Sequence, residues 1–213
     1  MPTSNLIALG HYSRTGKDLL ASLLQDQLGG VETCRLFSFA GLLKRVCHDV
    51  CGWGGLREAA YYNTSEGEPL RNEVLPAFGL TPVELWIKIG TELFRNEIHP
   101  DVWVNALMGE VADWLAAGAH WAIITDMRFP NEWDAVIDAG GVVVKVERPG
   151  VLPRESVSDL ALADYATWDF IVENNGSVAD LAAAGRQLLA RRRFAYGSAE
   201  RISAIDSNVA LLN

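Results

Sequence analysis

Residues Gly10 to Leu19 read GHYSRTGKDL and follow the apolar run Leu6-Ile7-Ala8-Leu9. A short buried strand, a glycine-containing loop and Gly-Lys opening a helix form a grip for phosphate. Backbone N–H groups at the helix N-terminus face the anion, and the lysine adds a mobile charge. The loop residues His11, Tyr12, Ser13, Arg14, Thr15, Gly16, Lys17, Asp18 and Leu19 are therefore candidate phosphate-binding residues. The pattern G-x-x-x-x-G-K-[ST] would place its first glycine at His11, whereas the chain has Gly10, and Asp18 stands where a hydroxyl is usual. Asp18 either holds Mg²⁺, directly or through water, or is a favourable acid in the first turn of a helix.

These residues need a scaffold, and strand and helix signals alternate along the chain. Strands are expected at 6–9, 33–38, 121–125, 142–147 and 170–173, and helices at 16–28, 40–51, 81–96, 102–116, 131–139 and 178–193. Thr81-Pro82-Val83-Glu84 reads as a helix start with a capping box, and Asn131 reads as the cap of its helix. Near-continuous apolar strands between amphipathic helices imply a parallel sheet covered on both faces, an α/β architecture. Residues 52–79 lack periodicity and are long for a connection, so they read as a functional excursion, while 148–167 is mixed and polar. The last twenty residues read as loosely structured.

In such a sheet, ligands bind at the carboxyl ends of the strands. After the second strand come Phe39 and Lys44, and after the third Asp126-Met127-Arg128-Phe129-Pro130-Asn131-Glu132. Arg148 and Arg154 follow the fourth strand, and Asn174 and Asn175 the fifth. Asp126 is suited to orienting a metal or an acceptor, and Arg128 to gripping phosphate with two parallel N–H bonds. Either residue would equally fit a buried pair that only shapes the loop. From spacing alone Arg95, near the end of Gly90-Thr91-Glu92-Leu93-Phe94-Arg95, reads as a helix-end cation. Cys47, His48 and Cys51 lack a partner pair for zinc.

The 213 residues suffice for one sizeable domain, or one with an inserted subdomain. A net charge of -9 argues against a binder of nucleic-acid polymers, which would carry a basic face. Three cysteines suggest reduced thiols in a cytosol, and neither a membrane span nor a leader peptide is expected.

Four segments, RTGKD (14–18), FSFAGLLK (37–44), LWIKIGTELFR with DVW (85–95, 101–103) and DMRFPNE (126–132), together with ENNGS (173–177), make the chain resemble the phage deoxynucleoside monophosphate kinases, a branch of the P-loop kinases. The resemblance implies a three-layer P-loop kinase fold with a five-stranded parallel sheet in the order 2-3-1-4-5. It implies one domain over 1–213, with an acceptor-binding excursion at about 52–110 and a lid at about 148–167. The implied reaction passes a phosphoryl group from ATP to a deoxynucleoside monophosphate with Mg²⁺. Carried over by position, Arg14, Gly16, Lys17 and Asp18 would hold the ATP phosphates, with Asp18 on the metal. Catalysis would fall to Lys17, Arg14, Asp126 and Arg128. Phe39, Lys44, Arg71, Glu92, Arg95, Trp103 and Arg128 would bind the acceptor, Arg148 or Arg154 would close over the phosphates, and Asn174 and Asn175 would lie near the adenine. A homodimer acting in a host cytoplasm is also implied. The family usually has glycine at the position of His11 and threonine at that of Leu19. A P-loop kinase of another small metabolite and a non-catalytic nucleotide-binding module are the competing readings.

Overall fold

A computed structural model describes residues 4–118, 120–153, 157–163 and 167–191. Arg154 and the tail 194–213 lie outside the described residues, as do parts of the expected lid. Five parallel strands, β1 (Leu6–Gly10), β2 (Cys34–Phe37), β3 (Trp121–Met127), β4 (Val142–Glu147) and β5 (Phe170–Glu173), form one sheet in the order β2-β3-β1-β4-β5. This is the expected strand order. β1 lies at the centre because it has no exposed residue: Leu6 to Leu9 are all fully buried.

The helices cover both faces. They are α1 (Lys17–Gln27), α2 (Phe39–Cys51), α3 (Gly67–Leu70), α4 (Pro82–Ile87), α5 (Val102–Ala116), α6 (Pro130–Asp138), α7 (Val157–Leu160) and α8 (178–191). Alternation along β1 divides the core. Leu6 and Ala8 pack with Leu42 of α2, Leu107 of α5 and Val136 of α6, whereas Ile7 and Leu9 pack with Leu20 and Leu24 of α1 and Leu181 of α8. Each fully buried aliphatic side chain contributes roughly 1.5–3 kcal/mol. The segment after α2 has its own apolar cluster, in which Leu56, Tyr62, Leu85 and Trp86 pack on Cys47 and Cys51. The three cysteines are free and buried. Among the described residues, no helix is long and apolar enough to cross a membrane.

Local chemistry explains most boundaries and three departures. Thr81 and Glu84 close the expected capping box, with Pro82 in the first turn. The helix expected over 81–96, however, is α-helical only to Ile87 and then widens to a π-helix over Lys88–Ile98. Within that segment the Gly90 carbonyl accepts the Trp103 indole N–H at 2.9 Å, a tertiary demand on a helix carbonyl that no local propensity encodes. Second, Asn131 does not cap its helix: Phe129 occupies the N-cap and Pro130 starts α6, while the Asn131 amide reaches Asp101 Oδ1 at 2.7 Å. Third, β3 runs past Thr125 to Met127. Between the pairs Ala8–Ile124 and Gly10–Met127, β3 carries one residue more than β1. The bulge falls within Thr125–Asp126, just before the end of β3.

α3 delivers Arg71, its C-terminal flanking residue, and begins where the chain leaves no room for a side chain. A Cβ on Gly67 would lie 2.1 Å from the Tyr61 carbonyl oxygen. Gly67→Ala is expected to destabilise the protein by about 1–3 kcal/mol, seen as a lower urea midpoint with an unchanged m-value.

Candidate active site

β1 ends at Gly10, and the loop turns back sharply before α1. His11 (φ 91°), Arg14 (φ 64°) and Gly16 (φ 96°) all occupy the left-handed region. Only glycine fits at Gly16, because a Cβ there would meet the Asn174 amide nitrogen at 2.3 Å. That amide donates to the Thr15 carbonyl at 2.9 Å, so the end of β5 pins the loop that leaves β1. His11 adopts a backbone conformation that suits glycine, and aromatic contacts hold it there. Its ring stacks on Tyr12 with centroids 3.7 Å apart and meets the edge of Trp168 at 6.4 Å. Burial, reinforced by Lys145, pushes the His11 pKa down to about 4, so the ring is neutral at neutral pH.

Lys17, only 6% exposed, folds over this loop. Its ammonium donates to the carbonyls of His11 (3.0 Å) and Tyr12 and to Thr15 Oγ1 (3.4 Å). Thr15 in turn donates to the Tyr12 carbonyl at 3.1 Å, so its hydroxyl is directed into the loop. Burial and the nearby Arg128 lower the Lys17 pKa to about 8, against the attraction of Asp18, Asp159 and Asp126. Arg14, Asp18 and Leu19 are exposed.

The β3 side gathers the remaining cations. Arg128 donates to Ser13 Oγ at 3.1 Å and pairs with Asp159 of α7, whose side chain is almost wholly buried. Arg95 donates to Glu132 Oε1 at 3.1 Å and lies 4.4 Å above the Phe129 ring. Glu132 Oε2 accepts the backbone N–H groups of Arg128 (2.7 Å) and Phe129 (3.2 Å). Lys44 and Arg71 share one indole, at 4.8 Å and 5.9 Å from the Trp86 ring centroid. Burial, followed by the charge of Arg71, lowers the Lys44 pKa. The charges of Asp126, Arg128 and Asp18 also act on Lys44, so these groups share one electrostatic neighbourhood.

Asp126 has a structural task. Its carboxylate accepts Ser38 Oγ–H (2.8 Å) and the N–H groups of Phe39 (2.9 Å) and Ala40 (2.9 Å), which are orphan donors of the first turn of α2. Phe39 and Trp103 are buried in the core, and Trp103 acts by holding Gly90. Glu92 is exposed and pairs with Lys88 at 3.6 Å. On the β4 side, a cavity of about 440 Å³ is lined by residues that include His11, Tyr12, Lys145, Glu147 and Arg148. Asn175 is turned to Glu173 at 3.2 Å.

Lys17, Lys44 and Arg128, named from their places after the strands, and Arg71 and Arg95, named from the resemblance, lie in this neighbourhood. Sequence reasoning misses Glu132, Asp159, Trp86 and Lys145. Glu132 and Trp86 lie inside quoted segments and were legible as neighbours, but Asp159 sits in an aperiodic stretch that gives no signal.

The family model for deoxynucleotide monophosphate kinase matches residues 84–184. A protein of Acanthamoeba polyphaga mimivirus, named as a deoxynucleotide monophosphate kinase, is 28% identical over 182 residues, spanning 81% of this chain and 90% of its own. Among solved structures, a sugar kinase from Janibacter sp. HTCC2649 overlays 89% of this chain and 95% of its own at 14% identity and a TM-score of 0.47. Shikimate kinase from Aquifex aeolicus overlays 90% and 99% at 16% identity and a TM-score of 0.42. These overlays are loose, and the fold is fixed instead by the strand order and the loop after β1.

Because Asp126 satisfies donors of α2, Asp126→Ala is expected to cost about 2–3 kcal/mol of stability in the absence of any ligand. Urea unfolding of the ligand-free protein checks this; an unchanged midpoint would remove the structural role.

Proposed function

We propose that this chain, which is similar to the deoxynucleotide monophosphate kinases, transfers the terminal phosphoryl group of ATP to a deoxynucleoside monophosphate. The carrying observation is the position of Lys17. The first residue of α1, it donates to the carbonyls of His11 and Tyr12, which line the cavity beside β4, and it feels the charges of Arg128 and Asp126 from the end of β3. Two anions, one from each side, would meet at this lysine. We read the chain as one kinase domain with an acceptor-binding excursion after α2, a lid around α7, and action as a homodimer in the cytoplasm.

Phosphoryl transfer needs alignment and charge neutralisation more than covalent chemistry. ATP would lie along the loop, with its phosphates against the N-terminus of α1 and its nucleoside toward the cavity lined by His11 and Arg148. Lys17 would leave the His11 and Tyr12 carbonyls for phosphate oxygens. Lys44, Arg71, Arg95 and Arg128 would hold the acceptor's phosphate. Asp18 suits Mg²⁺, because it is exposed and adjoins Lys17, whereas Asp126 already accepts three donors. Among the described residues, no group of three or more His, Cys, Asp or Glu side chains forms a metal site. The ion would therefore be shared between Asp18, water and the nucleotide's own oxygens, where it offsets phosphate charge.

ATP incubated with a panel of deoxy- and ribonucleoside monophosphates, nucleosides and coenzyme precursors is expected to give ADP and a diphosphate with at least one deoxynucleoside monophosphate. Turnover with none of the monophosphates would sink the proposal. Lys17→Ala is expected to lower kcat/KM by about a hundredfold or more. Proton uptake gives an independent check. The free Lys17 pKa of about 8 would rise on meeting phosphate, so ATP binding at pH 8 should take up about half a proton. The uptake should vanish near pH 6, where the amine is already protonated, and in Lys17→Ala; calorimetry in buffers of different ionisation enthalpy reads it.

A further inference from the structure

Arg95 and Arg128 reach the crevice from different elements, the π-helical segment and the end of β3, and they meet at one side chain. Glu132, 2% exposed in the first turn of α6, accepts the Arg95 guanidinium on Oε1 and the Arg128 and Phe129 backbone N–H groups on Oε2. Capping α6 requires only Oε2. The Oε1 contact does something further: with the Phe129 ring 4.4 Å beneath the guanidinium, it sets both the position and the plane of Arg95. Glu132 touches the Arg128 backbone only, and so fixes where that residue leaves β3 while its guanidinium turns to Ser13 and Asp159. A buried carboxylate is costly unless it is paired and hydrogen-bonded, and here its partners are the two arginines most suited to a phosphate.

We propose that Glu132 is the positioning residue of the acceptor's phosphate site, holding the Arg95 guanidinium and the Arg128 backbone in one frame. This rests on the proposed function. The charged groups acting on Glu132 are Arg95, which favours its ionised form, and Asp126, which opposes it, while Arg128 meets it through the backbone N–H. Burial raises its pKa to about 7, against the backbone hydrogen bonds and Arg95. Protonation as pH falls through 7 therefore weakens the hold on Arg95, and the acceptor's KM rises. The acceptor's own phosphate titrates near pH 6 in about the same window, so the reading is the difference between enzyme variants assayed with one acceptor.

The test is steady-state kinetics on the full chain, using the best acceptor of the panel. Glu132→Gln is expected to raise the acceptor's KM about tenfold while the KM for ATP stays within about twofold. Its acceptor KM should lose the excess pH dependence that wild type shows between about pH 6 and 8. Arg95→Ala should lose the same pH dependence, and the double variant should be no worse than Arg95→Ala alone. Additive effects, or equal rises in both KM values, would reduce Glu132 to a cap of α6 and overturn the proposal. If Glu132→Gln does not fold, the pH profile of Arg95→Ala decides: retention of the wild-type excess overturns it. Wild-type enzyme inactive on every monophosphate would remove the functional reading first, and this proposal with it.

Discussion

The crevice collects like charges, and without a ligand those charges must be held by the protein. Lys17 bonds to the carbonyls of its own loop, Arg128 pairs with Asp159, Arg95 with Glu132, and Lys44 and Arg71 share the Trp86 face. Unpaired, partly buried cations at such separations would repel one another and lose hydration, at several kcal/mol each. Each of these partners therefore keeps the crevice intact. The lowered pKa values of Lys17 and Lys44 express the same constraint: burial and neighbouring arginines weigh against their charge until an anion arrives.

The partners come from elements distant in sequence. Ser13 belongs to the loop after β1, Arg128 to the end of β3 and Asp159 to α7, yet Ser13 Oγ bonds Asp159 at 3.3 Å as well as Arg128 at 3.1 Å. One small polar junction thus ties the loop after β1, the third strand and α7 together. The Asn174 bond to Thr15 does the same from β5. A parallel sheet permits this convergence because its strands present their carboxyl ends on one edge.

The loop after β1 shows how backbone conformation and residue type separate. His11 stands where the resembling family usually has glycine, yet its φ of 91° is one that glycine adopts easily. Stacking on Tyr12 and the edge of Trp168 compensate for the steric cost. The turn survives the substitution because tertiary packing supplies what glycine would have given through conformational freedom.

By itself the sequence determined the sheet, its strand order through the resemblance, the loop that joins β1 to α1 and the cations that follow the strands. Those features rest on apolar runs, caps and motifs that are local in the chain. Tertiary structure decided what each charge does. Asp126, legible as a catalytic candidate, is committed to the N-terminus of α2, because folding brings three donors to it. Glu92, an acceptor residue only by the resemblance, is exposed in the π-helical segment and pairs with Lys88. Glu132, hidden in a cap motif, becomes the anchor of Arg95, and Asp159 emerges from a stretch without periodicity to pair with Arg128. Hydrogen-bond partners between distant segments are set by packing, and a one-dimensional pattern carries no record of them.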